Sequence, residues 1–332
     1  MAAPNSHYRV SGTWKRIKNQ HVRVAGVWKQ INNSYVRASG VWKKVFFRRI
    51  AVNLTIAANT TNYNVYSAAG SPTGSIPRDV VLVINSGVYV YSTSTATAAI
   101  TVGGSWPTGS TLTIVNNGYI VGRGGAGGNG TNVYPNSGTA GGAGGPAISF
   151  HSSITTTTIN NTSGYIYGGG GGGGGGGSWY WAYVYYNNPG APGGGGGAGN
   201  GTGGSAAGVY YAGGYGWLTG STPTNGGAGS LSAAGGTGTY GRVYKTVGGE
   251  SPATYGANSG NGGAGGTFGA AGSSGSNGYA TDSGTPTPYH APGPGALGAG
   301  GGGAAGKAIN LNGSSIVWTG GNNSTQVKGA VS

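Results

Sequence analysis

Ten consecutive glycines occupy residues 168–177, within the sequence YIYGGGGGGGGGGSWYWAYVYY at residues 165–186. Glycine disfavours helix and strand interiors because ordering its backbone costs more entropy than for any other residue. This run is the longest of about ten glycine bursts between residues 122 and 306, which hold most of the 79 glycines among 332 residues. Within a burst the unit is often Gly-Gly-X, so the fold depends on what glycine can build at a period of three.

Two ordered structures have this period. Collagen needs glycine at every third position and abundant proline, whereas this chain has 14 prolines and unbroken glycine runs. Polyglycine II is an extended left-handed helix without internal hydrogen bonds, so its N–H and C=O groups must bind neighbouring helices. One run alone would not stay ordered, because fixing a residue costs about 1–2 kcal/mol and a net hydrogen bond returns about 0.5–1.5 kcal/mol. Many bursts joined by turns therefore predict a cooperative polyglycine II block.

The N-terminal residues contain three copies of a 14-residue repeat, HYRVSGTWKRIKNQ, HVRVAGVWKQINNS and YVRASGVWKKVFFR. Each copy reads as a strand, a two-residue turn ending in glycine, and a second strand. The basic residues recur at fixed strand positions, which favours a β-meander with a basic face over a nucleic-acid or membrane site. Such a turn places each arginine opposite a tryptophan, and we predict a role in attachment or assembly for Arg9, Arg23, Arg37, Trp14, Trp28 and Trp42.

A strand-turn-strand phrase also repeats outside this region. TIVNNGYIVGRGG at 113–125 returns as TINNTSGYIYGGG at 158–170, and more loosely as INLNGSSIVWTGG at 309–321. Such repetition predicts stacked β rungs bordering the glycine block, with almost no α-helix. The predicted fold is mainly β plus polyglycine II. Its parts are an N-terminal β-meander at 1–48, a β-rich, β-helix-like domain at 49–121, a polyglycine II domain at 122–306, and a returning strand with a C-terminal tail at 307–332.

The charge balance argues against several classes of chemistry. The chain has 17 Lys+Arg, 3 Asp+Glu and no cysteine, so no disulfide framework or thiolate site is expected. Asp79, Glu250 and Asp282 are the only acids, which leaves little basis for a paired-carboxylate active site. No apolar run reaches the roughly 18 residues of a membrane span, and no secretory signal is expected. We therefore predict no enzyme activity, no metal site, no cofactor and no nucleic-acid partner.

Aromatic segments separate the glycine bursts, the longest being SWYWAYVYYNN at 178–188. Tyrosine on loops of Gly, Ser and Asn is typical of binding surfaces, where rigid rings give contact area at low entropic cost. The alternative is that the rings cap the ends of the glycine lattice, and both roles are compatible. The predicted contact residues are Trp179, Tyr180, Trp181, Tyr183, Tyr185, Tyr186, Tyr210, Tyr211, Trp217, Tyr244, Tyr289 and His290.

Glycine bursts separated by aromatic loops resemble the tail-fibre tip adhesins of tailed bacteriophages, and in particular the T-even-type adhesins with a polyglycine II sandwich. The resemblance covers residues 122–306, whereas the 14-residue repeat departs from the N-terminus expected of that family. It implies a virion protein of the distal tail fibre or tail tip. Through these loops the protein would adsorb to a bacterial outer-membrane protein or surface glycan, as a receptor-binding protein in host recognition.

The expected partners within the virion are other phage tail or baseplate proteins. Because phage fibre proteins are often trimers, we predict a homotrimer, with a monomer seated on another fibre's tip as the alternative. The alternative function is that of a purely structural glycine-rich fibre or scaffold protein without a receptor, and antifreeze-type ice binding is a further one.

Overall fold

The structure is a computed structural model, and it is nearly all strand and extended backbone with almost no helix. The residues that it describes are 7–10, 13–16, 20–131, 136–150, 154, 156–180, 187–188, 190–211, 218–247, 253–283 and 295–332.

The N-terminal repeats form hairpins with the predicted register. Arg23 lies opposite Trp28, and the other two copies repeat this pairing. The turn residues Ala25 and Gly26 both have positive φ, 49° and 80°, as a tight two-residue hairpin turn requires. Arg23 Nε donates to the Gly26 carbonyl at 3.2 Å, so the arginine closes its own turn. The strands are β1 (His7–Val10), β2 (Thr13–Arg16), β3 (Gln20–Val24), β4 (Val27–Ile31), β5 (Asn33–Ala38) and β6 (Val41–Phe47).

The three hairpins are separate two-stranded sheets rather than one continuous meander in the part of the chain described. Between the second and third repeats the backbone bends at Asn32, where a meander would need a hairpin turn. The Asn32 carbonyl instead accepts from the N–H of Arg48 at 2.6 Å. Among the described residues, no strand of one hairpin is paired with a strand of another.

The remaining strands follow in chain order. The first group is β7 (Ile50–Ile56), β8 (Thr60–Thr61), β9 (Tyr63–Asn64), β10 (Arg78–Ile84), β11 (Tyr89–Tyr91), β12 (Ile100–Val102), β13 (Thr111–Asn116), β14 (Tyr119–Val121), β15 (Ile148–Phe150), β16 (Thr156–Asn160) and β17 (Tyr165–Tyr167), with the helix α1 (Val65–Ala68) after β9. The second group is β18 (Trp179–Tyr180), β19 (Asn187–Asn188), β20 (Tyr210–Tyr211), β21 (Leu218–Ser221), β22 (Arg242–Val247), β23 (Ala253–Asn258), β24 (Tyr279–Ser283), β25 (Gly295–Ala296), β26 (Ile309–Asn310), β27 (Ser315–Gly320) and β28 (Val327–Lys328). Among the described residues, no helix has the length and apolar character needed to cross a membrane.

Fourteen of these strands build a parallel β-helix with three sheets. The sheet orders are β7-β10-β13-β16-β27, β8-β11-β14-β17-β28 and β9-β12-β15-β26. Each of the first four turns of the β-helix contributes one strand to each sheet in succession, and the last turn contributes β27 and β28. The chain leaves the β-helix between the second and third sheets twice, after β14 and after β17, and it returns at β15 and β26.

Columns of aliphatic side chains fill the β-helix. In the first sheet, Leu82, Ile114 and Ile159 lie side by side on adjacent strands and are fully buried. Each such side chain contributes about 1.5–3 kcal/mol when it is buried. At the corner after this sheet, Asn116 Nδ2 donates to Asn161 Oδ1 at 2.7 Å, which satisfies two buried amides. Strand alternation and corner amides thus explain the repeated phrase at 113–125 and 158–170.

Stacked tyrosines run along the outside of the second sheet. The ring centroids of Tyr89 and Tyr119 are 4.4 Å apart, and those of Tyr119 and Tyr165 are 5.0 Å apart. Tyr167 continues the row onto Phe268, with its centroid at 4.8 Å. Phe268 lies in a turn of the glycine-rich region, so the ladder joins that region to the β-helix.

Because of the tyrosine ladder, we expect the folded protein to lose stability at high pH. Burial, followed by the neighbouring tyrosines, raises the pKa of Tyr167 to about 12 from an ordinary value of 10.0. A raised folded-state pKa contributes stability that is complete below pH 10 and disappears as the pH rises towards 12. We expect Tyr167→Phe to show a shallower fall in melting temperature than the parent across pH 10–12. Equal slopes for both proteins would contradict this assignment.

Ten extended polyglycine segments make up the glycine-rich region that the structure describes. All ten use hydrogen bonds between segments at a three-residue period. In chain order they are segments 1 (122–131), 2 (136–146), 3 (168–177), 4 (190–199), 5 (201–208), 6 (222–230), 7 (233–241), 8 (259–267), 9 (270–278) and 10 (297–307).

Segment 3, the all-glycine run, lies at the centre of a hexagonal lattice. Its N–H groups from Gly169 to Gly177 donate in rotation to segments 2, 4 and 9 at 2.8–3.0 Å. Its carbonyls accept in rotation from segments 1, 8 and 10. Segment 4 likewise has six neighbours, namely segments 1, 3, 5, 6, 7 and 8. The pairings define three layers in the orders 2-1-5, 10-3-4-6 and 9-8-7.

At most inward-facing positions only glycine fits between these helices. A Cβ built on Gly172 would lie 1.8 Å from the carbonyl oxygen of Ala126, and a Cβ on Gly174 would lie 1.9 Å from that of Gly300. The X residues of an outer segment, such as Ala126 and Asn129, are exposed. The Gly-Gly-X period therefore places two glycines towards the lattice and one side chain towards solvent.

The division of the chain at residues 121 and 306 stays a prediction. Strands β15, β16 and β17 lie between these positions and belong to the parallel sheets. This interleaving arises because the polyglycine segments are insertions into the third and fourth turns of the β-helix.

Candidate functional site: the distal ring

The polyglycine block has two unlike ends. At the proximal end, Gly168 follows β17 and donates to the carbonyl of Lys328 in the β-helix at 2.9 Å. Segments 4 and 5, 6 and 7, and 8 and 9 are joined at this end by one or two residues each. Asn200 and Gly269, with φ of 63° and 64°, serve two of these tight turns. All the long connections of segments 3 to 10 therefore lie at the opposite, distal end.

Four long connections at the distal end form a closed circuit of paired strands, which we call the distal ring. They are connection A (178–189), B (209–221), C (242–258) and D (279–296). A pairs with B through β19 and β20, and B pairs with C through β21 and β22. C pairs with D through β23 and β24, and D returns to A through β25 and β18. Each connection is thus held by backbone hydrogen bonds to both of its neighbours.

The structure brings several sequence-predicted contact residues into this ring. Trp179 and Tyr180 form β18, Tyr210 and Tyr211 form β20, and Tyr244 lies in β22. Within connections A, B and D, the following predicted residues lie outside the described residues: Trp181, Tyr183, Tyr185, Tyr186, Trp217, Tyr289 and His290. The assignment of all twelve to receptor contact stays a prediction.

Three tyrosines were missed by sequence reasoning. Tyr240 and Tyr279 are 45% and 49% exposed at the bases of connections C and D, and Tyr255 lies on β23. In the backbone register, Tyr255 is paired with Lys245 of β22 and with Asp282 of β24. Strand alternation beside a glycine burst is the signal that would have found Tyr255 and Tyr279, which lie in β23 and β24, whereas Tyr240 lies in polyglycine segment 7.

The distal ring is aromatic and close to electroneutral. Between residues 178 and 296 the sequence has two basic residues, Arg242 and Lys245, and two acids, Glu250 and Asp282. The guanidinium of Arg242 lies 5.6 Å from the ring centroid of Tyr244. A surface of rings with few charges is suited to stacking on sugars or entering apolar pockets, because little charge has to be desolvated.

The comparisons with known proteins identify the class. The family model of the phage tail fibre adhesin Gp38 matches residues 51–331, and the chain belongs to this family. A similar solved structure is the crystal structure of the gp37-gp38 adhesin tip complex of the bacteriophage S16 long tail fiber. It is 23% identical with a TM-score of 0.43, and the match covers 83% of this chain and 81% of that chain. No curated protein matches the sequence.

Family membership gives the protein its general role. It is a tail fibre protein of a virion that binds a host receptor, and its adhesin family indicates a binding rather than a catalytic task. The polyglycine-rich β fold agrees with the resemblance noted from the sequence. The hairpins at residues 7–47 lie outside the part of the chain that the family model covers.

Proposed function

We propose that the distal ring is the receptor-binding surface and that it acts by non-covalent recognition alone, without catalysis. The observation that carries this proposal is the closed circuit formed by connections A to D. Pairing of the described strands already fixes the flanks of each connection, so less conformational entropy is lost there on binding and more of the contact energy appears as affinity. The polyglycine block then acts as the rigid spacer that presents the ring.

The partner on the host is a bacterial outer-membrane protein or a surface glycan. Aromatic rings on an electroneutral surface serve both, by entering apolar pockets or by stacking on sugar faces. The chain itself is placed at the distal tip of a tail fibre, where a receptor-binding surface meets the cell first. Its contacts within the virion are with other tail fibre proteins. The predicted homotrimer and the alternative monomer on a fibre tip differ threefold in mass, starting from 32.3 kDa for one chain.

A cell-binding assay with the purified chain tests this proposal. We expect saturable binding to host cells and competition with adsorption of the parent phage. Protease treatment of the cells abolishes binding to a protein receptor, whereas removal of surface polysaccharide abolishes binding to a glycan. A folded chain that binds no cells and does not compete would establish the scaffold alternative instead.

A further inference from the structure

The N-terminal hairpins expose large apolar side chains on both of their faces. Trp28 and Trp42 are each 67% exposed, and Val27 and Val41 are 60% and 62% exposed. Side chains alternate along a strand, so Trp28 lies on one face and its neighbour Val27 on the other. The rest of the described chain leaves these four side chains uncovered.

A hairpin in this state needs a partner. An isolated two-stranded hairpin is at best marginally stable in water, and it gains stability only by packing its faces. The repeat presents the same bare tryptophan in successive copies, which marks a shared contact surface rather than one stray exposed residue. We call this surface, formed by the exposed side chains of β3 to β6, the hairpin surface.

Charge determines what covers the hairpin surface. Residues 1–50 contain 11 of the chain's 17 Lys+Arg and none of its three acids. A second copy of the chain would bring positive charge against positive charge, which is unfavourable at an interface. Tryptophan and arginine are the residues that dominate binding energy when they enter desolvated pockets. The complementary surface is therefore acidic at its rim and apolar in its pockets.

We propose that the hairpin surface docks the adhesin onto an acidic protein surface of the tail fibre that carries it, with Trp28 and Trp42 as anchors. The hairpins directly precede β7 in the first turn of the β-helix, whereas the distal ring lies beyond insertions into the third and fourth turns. Docking and receptor binding thus use separate parts of the chain. The family match begins at residue 51, so the hairpins lie outside the part of the chain that the family shares.

The inference extends the proposed placement on a fibre, and its test involves no host cells. The probe is phage particles assembled without this chain, immobilised and exposed to the purified full-length protein. We expect Trp28→Ala with Trp42→Ala to weaken binding at least 30-fold, because anchor residues of this kind dominate interfaces. Tyr279→Ala is the matched control, since it removes an exposed ring from the distal ring and leaves binding to particles unchanged.

A charge series keeps the test independent of hairpin folding. Lys29 is exposed on β4, and we expect Lys29→Glu to weaken binding at least tenfold and more than Lys29→Gln does. Lys307→Glu, an exposed lysine outside the hairpins, has no effect. Unchanged particle binding by the double tryptophan variant overturns the proposal. So does a fall in the solution mass of that variant with particle binding retained, because the surface then holds a second copy. Loss of binding to phosphatidylglycerol vesicles with particle binding retained also overturns it, in favour of a membrane.

Discussion

Replacing Gly172 by alanine is expected to destabilise the polyglycine block by at least about 3 kcal/mol, at the upper end for an overpacked core. The new Cβ would lie 1.8 Å from the carbonyl oxygen of Ala126 and 2.4 Å from its carbonyl carbon. These are backbone atoms, and they cannot rotate away as a side chain can. Gly172 also donates to Gly142 and accepts from Gly303, so any shift breaks bonds to other segments. Calorimetry should show a melting temperature lower by roughly 6 °C or more.

Two other glycines provide matched controls for this substitution. A Cβ on Gly236 or Gly301 meets no atom within 4 Å, and neither residue has a positive φ. Alanine there restricts the unfolded chain without a clash, and we expect a change between zero and about +1 kcal/mol in stability. If Gly172→Ala melted at the same temperature as Gly236→Ala, close packing of glycine would not be what holds the block together.

Much of the architecture was predictable because its rules are local. The two-residue turn in each 14-residue repeat sets the register, and the predicted Arg23–Trp28 pairing was confirmed. A period of three with long glycine runs left polyglycine II as the ordered option, and the fold class was confirmed. The repeated phrases at 113–125 and 158–170 do stack in register, with Ile114 beside Ile159.

Other features depend on which distant segments become neighbours in the fold, and a local sequence pattern does not specify this. The third phrase, at 309–321, is out of phase with the other two. Its first strand, β26, lies in the third sheet and its second strand, β27, lies in the first sheet. A strand-turn-strand pattern is the same at every corner of a β-helix. One such phrase therefore does not indicate which two of the three sheets its strands join. The order of the segments in the lattice cannot be predicted from the sequence either, because the glycines that face the lattice carry no side chains that would distinguish one neighbouring segment from another.

The sequence predicted the aromatic composition of the candidate site, but it did not predict which loops pair with one another. Aromatic loops pointed to a binding surface, yet nothing in SWYWAYVYYNN indicates that Trp179 pairs with Ala296, more than a hundred residues away. That pairing follows from the lattice, which places segments 3 and 10 side by side with β18 and β25 continuing from their distal ends. The glycine block therefore decides which loops meet, and the loops contribute the chemistry.

Replacing Trp179 and Trp181 together by alanine is expected to reduce binding of the purified chain to host cells by two orders of magnitude or more. Interface aromatics of this kind commonly cost about 2 kcal/mol or more each when truncated, and about 1.4 kcal/mol is a factor of ten in affinity. The fold should persist, because β18 is joined to β25 through backbone groups and the polyglycine segments are held by backbone hydrogen bonds. Cell binding is measured by adsorption to host cells and to receptor-deficient cells, and folding by the melting temperature.

The matched control for this loss is the double variant of the hairpin surface, Trp28→Ala with Trp42→Ala. It also replaces two tryptophans by alanine, but in the hairpins instead of connection A. We expect the two double variants to show opposite defects. The distal variant binds adhesin-free phage particles but not cells, whereas the hairpin variant binds cells but not particles. Separate effects of this kind follow because connection A and the hairpins lie in different parts of the fold. A distal variant that melts like the parent and still adsorbs to cells at the parental level would show that connection A does not contact the receptor.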